Sequence, residues 1–154
     1  MESSSPARVL VVAHRTASTA GLVDAVRRRA GAGPARFTLL VPRTAHGLHR
    51  LMDPEDQDDS EASEVLAKAL PRLSAAAGSP VDGLVGDPAP LTAIEDAINS
   101  QHFDEIILST LPTHISRWLR LDLPSKAAGF GIPVTTVTAV EADVAAGETD
   151  AAVG

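Results

Sequence analysis

The residues best suited to chemistry fall in two short polar strings. Ser109, Thr110, Thr113, His114 and Ser116 follow directly on the apolar run Ile106 to Leu108, and Arg117 and Arg120 come next. The second string, His14, Arg15 and Thr16, ends the apolar run Val9 to Ala13. Hydroxyls beside guanidiniums suit an anion, phosphate above all, because arginine adds charge and a planar fork to the hydroxyl donors. The same hydroxyls could instead cap the helix that follows, with Ser116 or Thr113 as N-cap, and a capped helix start still offers amides to an anion. Trp118 is the single tryptophan. Spaced with Leu121 on a helix, it reads as core or a subunit interface, with base stacking as its other use. His46, His49 and Asp53 fit no established metal spacing, so no metal is expected.

Both strings need a scaffold that ends two strands at one edge. Val9 to Ala13 is a short continuous apolar run and predicts a buried first strand. Ala17 to Ala30 predicts a helix with Ser18 or Thr16 as N-cap, turned inward through Leu22, Val23 and Val26 and stopped by the Gly31–Pro34 turn. Phe37 to Val41 is the second strand, ended by Pro42. Residues 43–60 form an irregular insertion with room for one short helical turn. Glu61 to Ala77 has Val65, Leu66, Ala69, Leu70 and Leu73 at helical spacing, and Pro71 predicts a kink or a shortened helix. Val81 to Val85, Glu105 to Leu108 and Pro133 to Thr138 are strands three to five. Leu91 to Ser100 and Ser116 to Phe130 are the intervening helices.

Alternation of this kind predicts an open, doubly wound α/β domain over residues 8–140: a five-stranded parallel sheet, right-handed crossovers and helices on both faces. Residues 1–7 are expected to be a flexible N-terminus and 141–154 a flexible acidic tail. In such a sheet, ligands sit at the carboxyl ends of the strands, where the two polar strings would meet.

Composition narrows the classes. The chain has 154 residues, enough for one domain with a core. Aromatic residues make up only 3%, so Val, Leu, Ile and Ala must build that core, as suits a sheet buried on both faces. The net charge of −7 argues against general nucleic-acid binding. With no cysteine there is no disulfide, thiolate metal site or cysteine nucleophile. The first residues lack the pattern of a signal peptide and no apolar run is long enough to span a bilayer, so a cytoplasmic location and no membrane partner are expected. Nucleophile elbows, Walker loops and Gly-x-Gly-x-x-Gly turns are missing, so an enzyme is not expected. The acidic run Asp53 to Glu64 and the cluster Arg27, Arg28 and Arg29 read as solvated faces.

Two strings, together with the element order, resemble the universal stress protein family. Gly86, Asp87, Pro88, Ala89, Pro90, Leu91, Thr92, Ala93 and Ile94 are similar to its third strand-to-helix junction. There Gly86 would permit a tight turn, Asp87 would cap the helix and Pro88 would preset φ. Asp104 to Val137, with Pro133 at the start of the last strand, is similar to its closing β-α-β unit. The resemblance spans Arg8 to Thr138 and implies the strand order 3-2-1-4-5. It also implies a stress-response module that binds a nucleotide and dimerises through its last strand, Val134 to Thr138 pairing with its twin.

On this view the ligand-binding residues are Ala13, His14, Arg15, Thr16, Val41, Gly86, Ser109, Thr110, Thr113, His114, Ser116 and Arg117. Two features depart from the ATP-binding members. His14 stands where they have an aspartate. Ser109, Pro112, Asp122 and Leu123 stand at the places of their Gly-x2-Gly-x9-Gly-Ser/Thr motif. Without those glycines the backbone approaches phosphate less closely, and Pro112 has no amide to donate. The cofactor is therefore unknown, an adenine nucleotide being the one the resemblance implies. The alternative is a ligand-free homodimeric interaction module, with a hydrolytic or nucleotidyl-transfer enzyme behind both.

Overall fold

Strand β1, Ala7–Val12, lies at the centre of the sheet because its residues are apolar on both faces. Val9 and Val11 pack into one core and Leu10 and Val12 into the other, and all four are fully buried. Period-two alternation thus splits one apolar run between two layers. In this computed structural model residues 5–44, 54–112 and 116–139 are described, the side chains of 54–60 excepted. Thr113, His114, His46 and His49 lie outside the described residues, as do most of the two chain ends.

The other strands are β2 (Ala35–Pro42), β3 (Asp82–Gly86), β4 (Glu105–Thr110) and β5 (Val134–Thr138). They form one parallel sheet in the order β3-β2-β1-β4-β5, as expected. Helices α1 (Ala20–Ala32) and α2 (Pro54–Ala77) cover one face through Leu22, Val26, Ala69 and Leu73. The other face is covered by α3 (Pro90–Ser100) and α5 (Leu123–Ala128), through Ala93, Ile94, Ala97, Leu123 and Ala127. Chain order reverses between β1 and β4, and at that point the carboxyl ends of two neighbouring strands open a crevice.

Several expectations need correction. Helix α2 begins at Pro54, so the irregular insertion 43–60 is shorter than expected and ends in helix. It also continues past Pro71 to Ala77, so the proline does not shorten it. Proline removes only one backbone bond, and burial of Ala69, Leu73 and Ala76 on either side of it holds the helix together. Conversely, the single helix expected from Ser116 to Phe130 is two short ones. Helix α4 is only Arg117–Arg120, and Asp122 then adopts a left-handed conformation at φ 58° before α5. Aspartate tolerates that region, and Pro124 in the first turn of α5 has no amide with which to continue the preceding helix. Finally, Thr19 rather than Ser18 or Thr16 stands at the N-cap of α1. Its hydroxyl donates to the Thr16 carbonyl at 2.9 Å instead of capping.

The junction after β3 also works differently from expectation. Asp87 does not cap α3, whose N-cap is Ala89; its carboxylate accepts the Ala89 amide at 2.9 Å in a local turn. Gly86 is required by packing rather than by the turn. A Cβ there would lie 2.8 Å from the Ala93 Cβ and 2.9 Å from a Leu40 methyl, so its absence lets α3 sit close on the sheet. Within the arginine cluster, Arg27 pairs with Asp24, and Arg29 forms a bidentate ion pair with Glu105 on β4. Among the described residues, no helix is long and apolar enough to cross a membrane.

Candidate functional site

Where β1 and β4 end, their polar turns touch. The Thr16 and Ser109 hydroxyls are 2.6 Å apart, and each residue is 2% exposed. Residues ninety-three positions apart in sequence are thereby joined at the floor of one crevice. The local cause is simple. Apolar side chains fill both faces of β1 and most of β4 up to the carboxyl edge, and beyond it the chain turns where polar side chains and turn hydrogen bonds take up the freed backbone groups. The turn after β1 is closed by the Ala17 and Thr19 amides, donating to the His14 and Thr16 carbonyls at 3.2 and 3.1 Å.

A cavity of about 330 Å³ opens above this contact. Seven of the anticipated residues line it: His14, Arg15 and Thr16 from one turn, and Ser109, Thr110, Ser116 and Arg117 from the other. Three others do not. Ala13 and Val41 are fully buried in the core, so their side chains have no face toward the cavity. Gly86 lies instead on a separate groove with Leu40, Asp87 and Asp96. Thr113 and His114 are outside the described residues.

Sequence reasoning missed the remaining wall. Pro42 ends β2 and Arg43 and Thr44 follow it, Glu61 comes from α2 and Pro88 from the turn after β3, while Leu111 and Trp118 complete the β4 side. The first two polar residues after β2 could have been found by the logic that selected His14 to Thr16, since all parallel strands end at one edge. Glu61 carried no such signal, because it depends on how α2 packs. Trp118 is half-buried, packed on the core and facing the cavity, whereas Leu121, the partner assigned to it, is 49% exposed.

Hydrogen bonds already engage several polar groups here. The Ser116 hydroxyl accepts the Leu119 amide at 3.1 Å and is the N-cap of α4, as one of its two expected uses. Helix α4 has only four residues, so its start supplies little dipole for an anion. The Thr110 hydroxyl donates to Thr138 on β5 at 3.4 Å. The His14 Nε2 lies 3.0 Å from the Thr44 hydroxyl, bridging the turns after β1 and β2. Burial pushes the His14 imidazole below its ordinary value, Glu61 acts in the opposite direction and Arg15 adds to the lowering. Near neutral pH this histidine is therefore uncharged. Among the described residues, the wall carries the guanidiniums of Arg15, Arg43 and Arg117 and the Glu61 carboxylate. Among the described residues no group of three His, Cys, Asp or Glu side chains could hold a metal.

No protein-family model and no curated protein matches the chain. Solved structures do. A universal stress protein from Archaeoglobus fulgidus shares 18% identity and superposes with a TM-score of 0.61 over 85% of this chain and 93% of its own. A universal stress protein in complex with cAMP, also 18% identical, gives 0.55 over 87% and 98%. At these identities the likeness is one of fold: the chain has the universal stress protein fold.

Proposed function

We propose that this protein is a non-enzymatic, universal-stress-like module that binds a nucleotide or another small phosphorylated ligand at the carboxyl ends of β1 and β4. The observation that carries the reading is the meeting of the two polar turns at the Thr16–Ser109 contact beneath a cavity walled by three guanidiniums. Its volume falls near the lower end of the roughly 300–1,000 Å³ usual for small-molecule sites. The half-buried Trp118, Leu111, Pro42 and Pro88 give that wall apolar surface for a ring. The fold neighbour named as a cAMP complex supports the same ligand class. An adenine nucleotide is the first candidate. Equilibrium dialysis and thermal unfolding with AMP, cAMP and ATP test the reading, because a ligand that binds only the folded state must raise its stability. An unmoved transition at millimolar nucleotide would sink it. Nucleotide turnover abolished by His14→Gln would point to an enzyme instead.

A second reading is favoured by β5. This strand ends the sheet, and Thr135, Thr136 and Thr138 on it are exposed. A β-branched edge of this kind is suited to pairing with a second copy, which would make the protein a homodimeric interaction module. Sedimentation equilibrium gives a dimer if so; a monomer that binds nucleotide leaves only the first reading.

A further inference from the structure

We infer that the outer edge of β3 is a docking site for an extended segment of a partner protein, one that carries lysine or arginine beside a medium-sized apolar side chain. This edge lies opposite β5, and the inference is independent of the nucleotide reading. Among the described strands, β3 pairs with β2 alone. The Arg43 amide donates to the Gly86 carbonyl at 2.9 Å, so Gly86, and by alternation Leu84 and Asp82, turn their backbone groups toward β2. The N–H and C=O groups of Gly83 and Val85 therefore point outward, with no partner among the described residues. The two faces of this edge are covered differently. Helix α2 lies on one: Val85 packs into that core, and a Cβ on Gly83 would meet Leu66 and Leu70 at 3.1 Å. On the other, α3 packs on Leu40 of β2 and leaves Leu84 half-buried in a groove of about 340 Å³. Leu40, Leu84 and Gly86 form the floor of this groove, and Ala93 and Ala97 of α3 its far wall. A strand added to β3 would send every second side chain to this face, where a valine-sized group meets apolar surface.

Two observations set the chemistry of the occupant. Asp82 on β3 and Asp96 on α3 are exposed along this groove and have no ion-pair partner among the described residues. Arg43 borders only the carboxyl end, so the stretch along Asp82 and Asp96 is the acidic one and suits a cation. The second observation is Thr38. Of the six buried polar side chains, the other five are hydrogen-bonded, whereas the Thr38 hydroxyl has no hydrogen bond among the described residues. Thr38 is 5% exposed, lies on the same face of β2 as Leu40, and stands in register with Asp82. A buried hydroxyl without a partner is uncommon. An ammonium held by Asp82 would supply the missing donor.

The probe is a short fluorescein-labelled peptide with a central Lys–Thr–Val–Thr–Lys, symmetrical so that either strand direction sets a lysine by Asp82. Followed by anisotropy, it should bind the full-length protein and weaken as salt is added. Replacing its lysines with glutamate, or its valine with proline, should abolish the signal. Asp82→Lys combined with Asp96→Lys should weaken binding about fivefold or more. Both positions are exposed, so thermal unfolding without peptide should match the wild type. Thr38→Val should weaken binding about threefold while raising the unfolding temperature of the free protein. Amide resonances should shift at Gly83 and Val85. Shifts centred on Thr135 and Thr136 would place the peptide on β5 and overturn the inference, as would equal binding of the glutamate peptide. An unchanged affinity in Thr38→Val overturns the part given to that hydroxyl. A dimer of the protein alone that the Asp82 and Asp96 variant dissolves would make the occupant a second copy, against a separate partner. No peptide binding overturns the β3 site and leaves the nucleotide reading to its own dialysis test.

Discussion

Thr16 and Ser109 each hold a hydroxyl that is almost wholly shut off from bulk water and bonded to the other. Deleting one partner strands a buried polar group, which costs about 1–3 kcal/mol, whereas deleting both removes the need for the bond. Urea unfolding should therefore show Ser109→Ala destabilised by about that amount, and the double variant Thr16→Val with Ser109→Ala less destabilised than the two singles summed. Additive losses would mean the hydroxyls do not depend on each other. His14 makes the second prediction at this scale. Its imidazole titrates below the ordinary value of about 6.5 when folded, chiefly through burial. The unfolded chain therefore takes up its proton first as pH falls. The contribution of His14 to stability is present above the ordinary value and is lost as pH drops through the folded one. Between pH 7 and 5 the urea midpoint should fall more in the wild type than in His14→Gln. An identical fall in both would show that other groups carry the pH dependence. The facing groups are Glu61, Arg15 and the Thr44 hydroxyl, and of these Glu61 opposes the shift.

Elements are positioned by a few close approaches. At Gly86 helix α3 comes so near β2 and β3 that a methyl group would overlap Ala93 and Leu40, both fully or nearly buried. Neither the Ala93 Cβ nor the helix it belongs to moves cheaply. Gly86→Ala should cost about 1–3 kcal/mol, the usual penalty for overpacking, and a neutral result in chemical denaturation would show that α3 shifts freely. The glycine was legible in sequence, but its reason was not. A Gly–x–Pro string announces a turn by local chemistry, whereas the contact with Ala93 depends on the angle at which α3 lies on the sheet. The same division explains Pro71 and the segment after β4. Local rules predicted a kink or a shortened helix at Pro71, and burial on both sides of it carries the helix on to Ala77. They predicted no break at Asp122, where the chain turns left-handed so that Leu123 and Ala127 reach the core.

At the scale of the molecule, one sheet carries two aliphatic cores, and an ion pair ties a covering helix to a central strand. Arg29 near the end of α1 grips both carboxylate oxygens of Glu105 at the start of β4, at 2.7 to 3.0 Å and with both side chains about a quarter to a third exposed. Charge-assisted, bidentate and partly shielded, this pair differs from the exposed Arg27–Asp24 contact on the same helix. Arg29→Gln should lower stability by about 1–2 kcal/mol and Arg27→Gln by much less; equal effects would mean that shielding adds nothing. The alternation of elements, the identity of the apolar runs and the polar ends of β1 and β4 were all determined by the sequence itself, whereas the strand order came from the family resemblance. Alternation and strand-terminating residues act within a few positions, and a parallel α/β chain has few ways to bury such runs. Only tertiary structure decided which polar residues share a wall. Arg43, Glu61, Pro88 and Trp118 reach one cavity because four elements converge there, and convergence depends on helix packing over distances that no local pattern encodes.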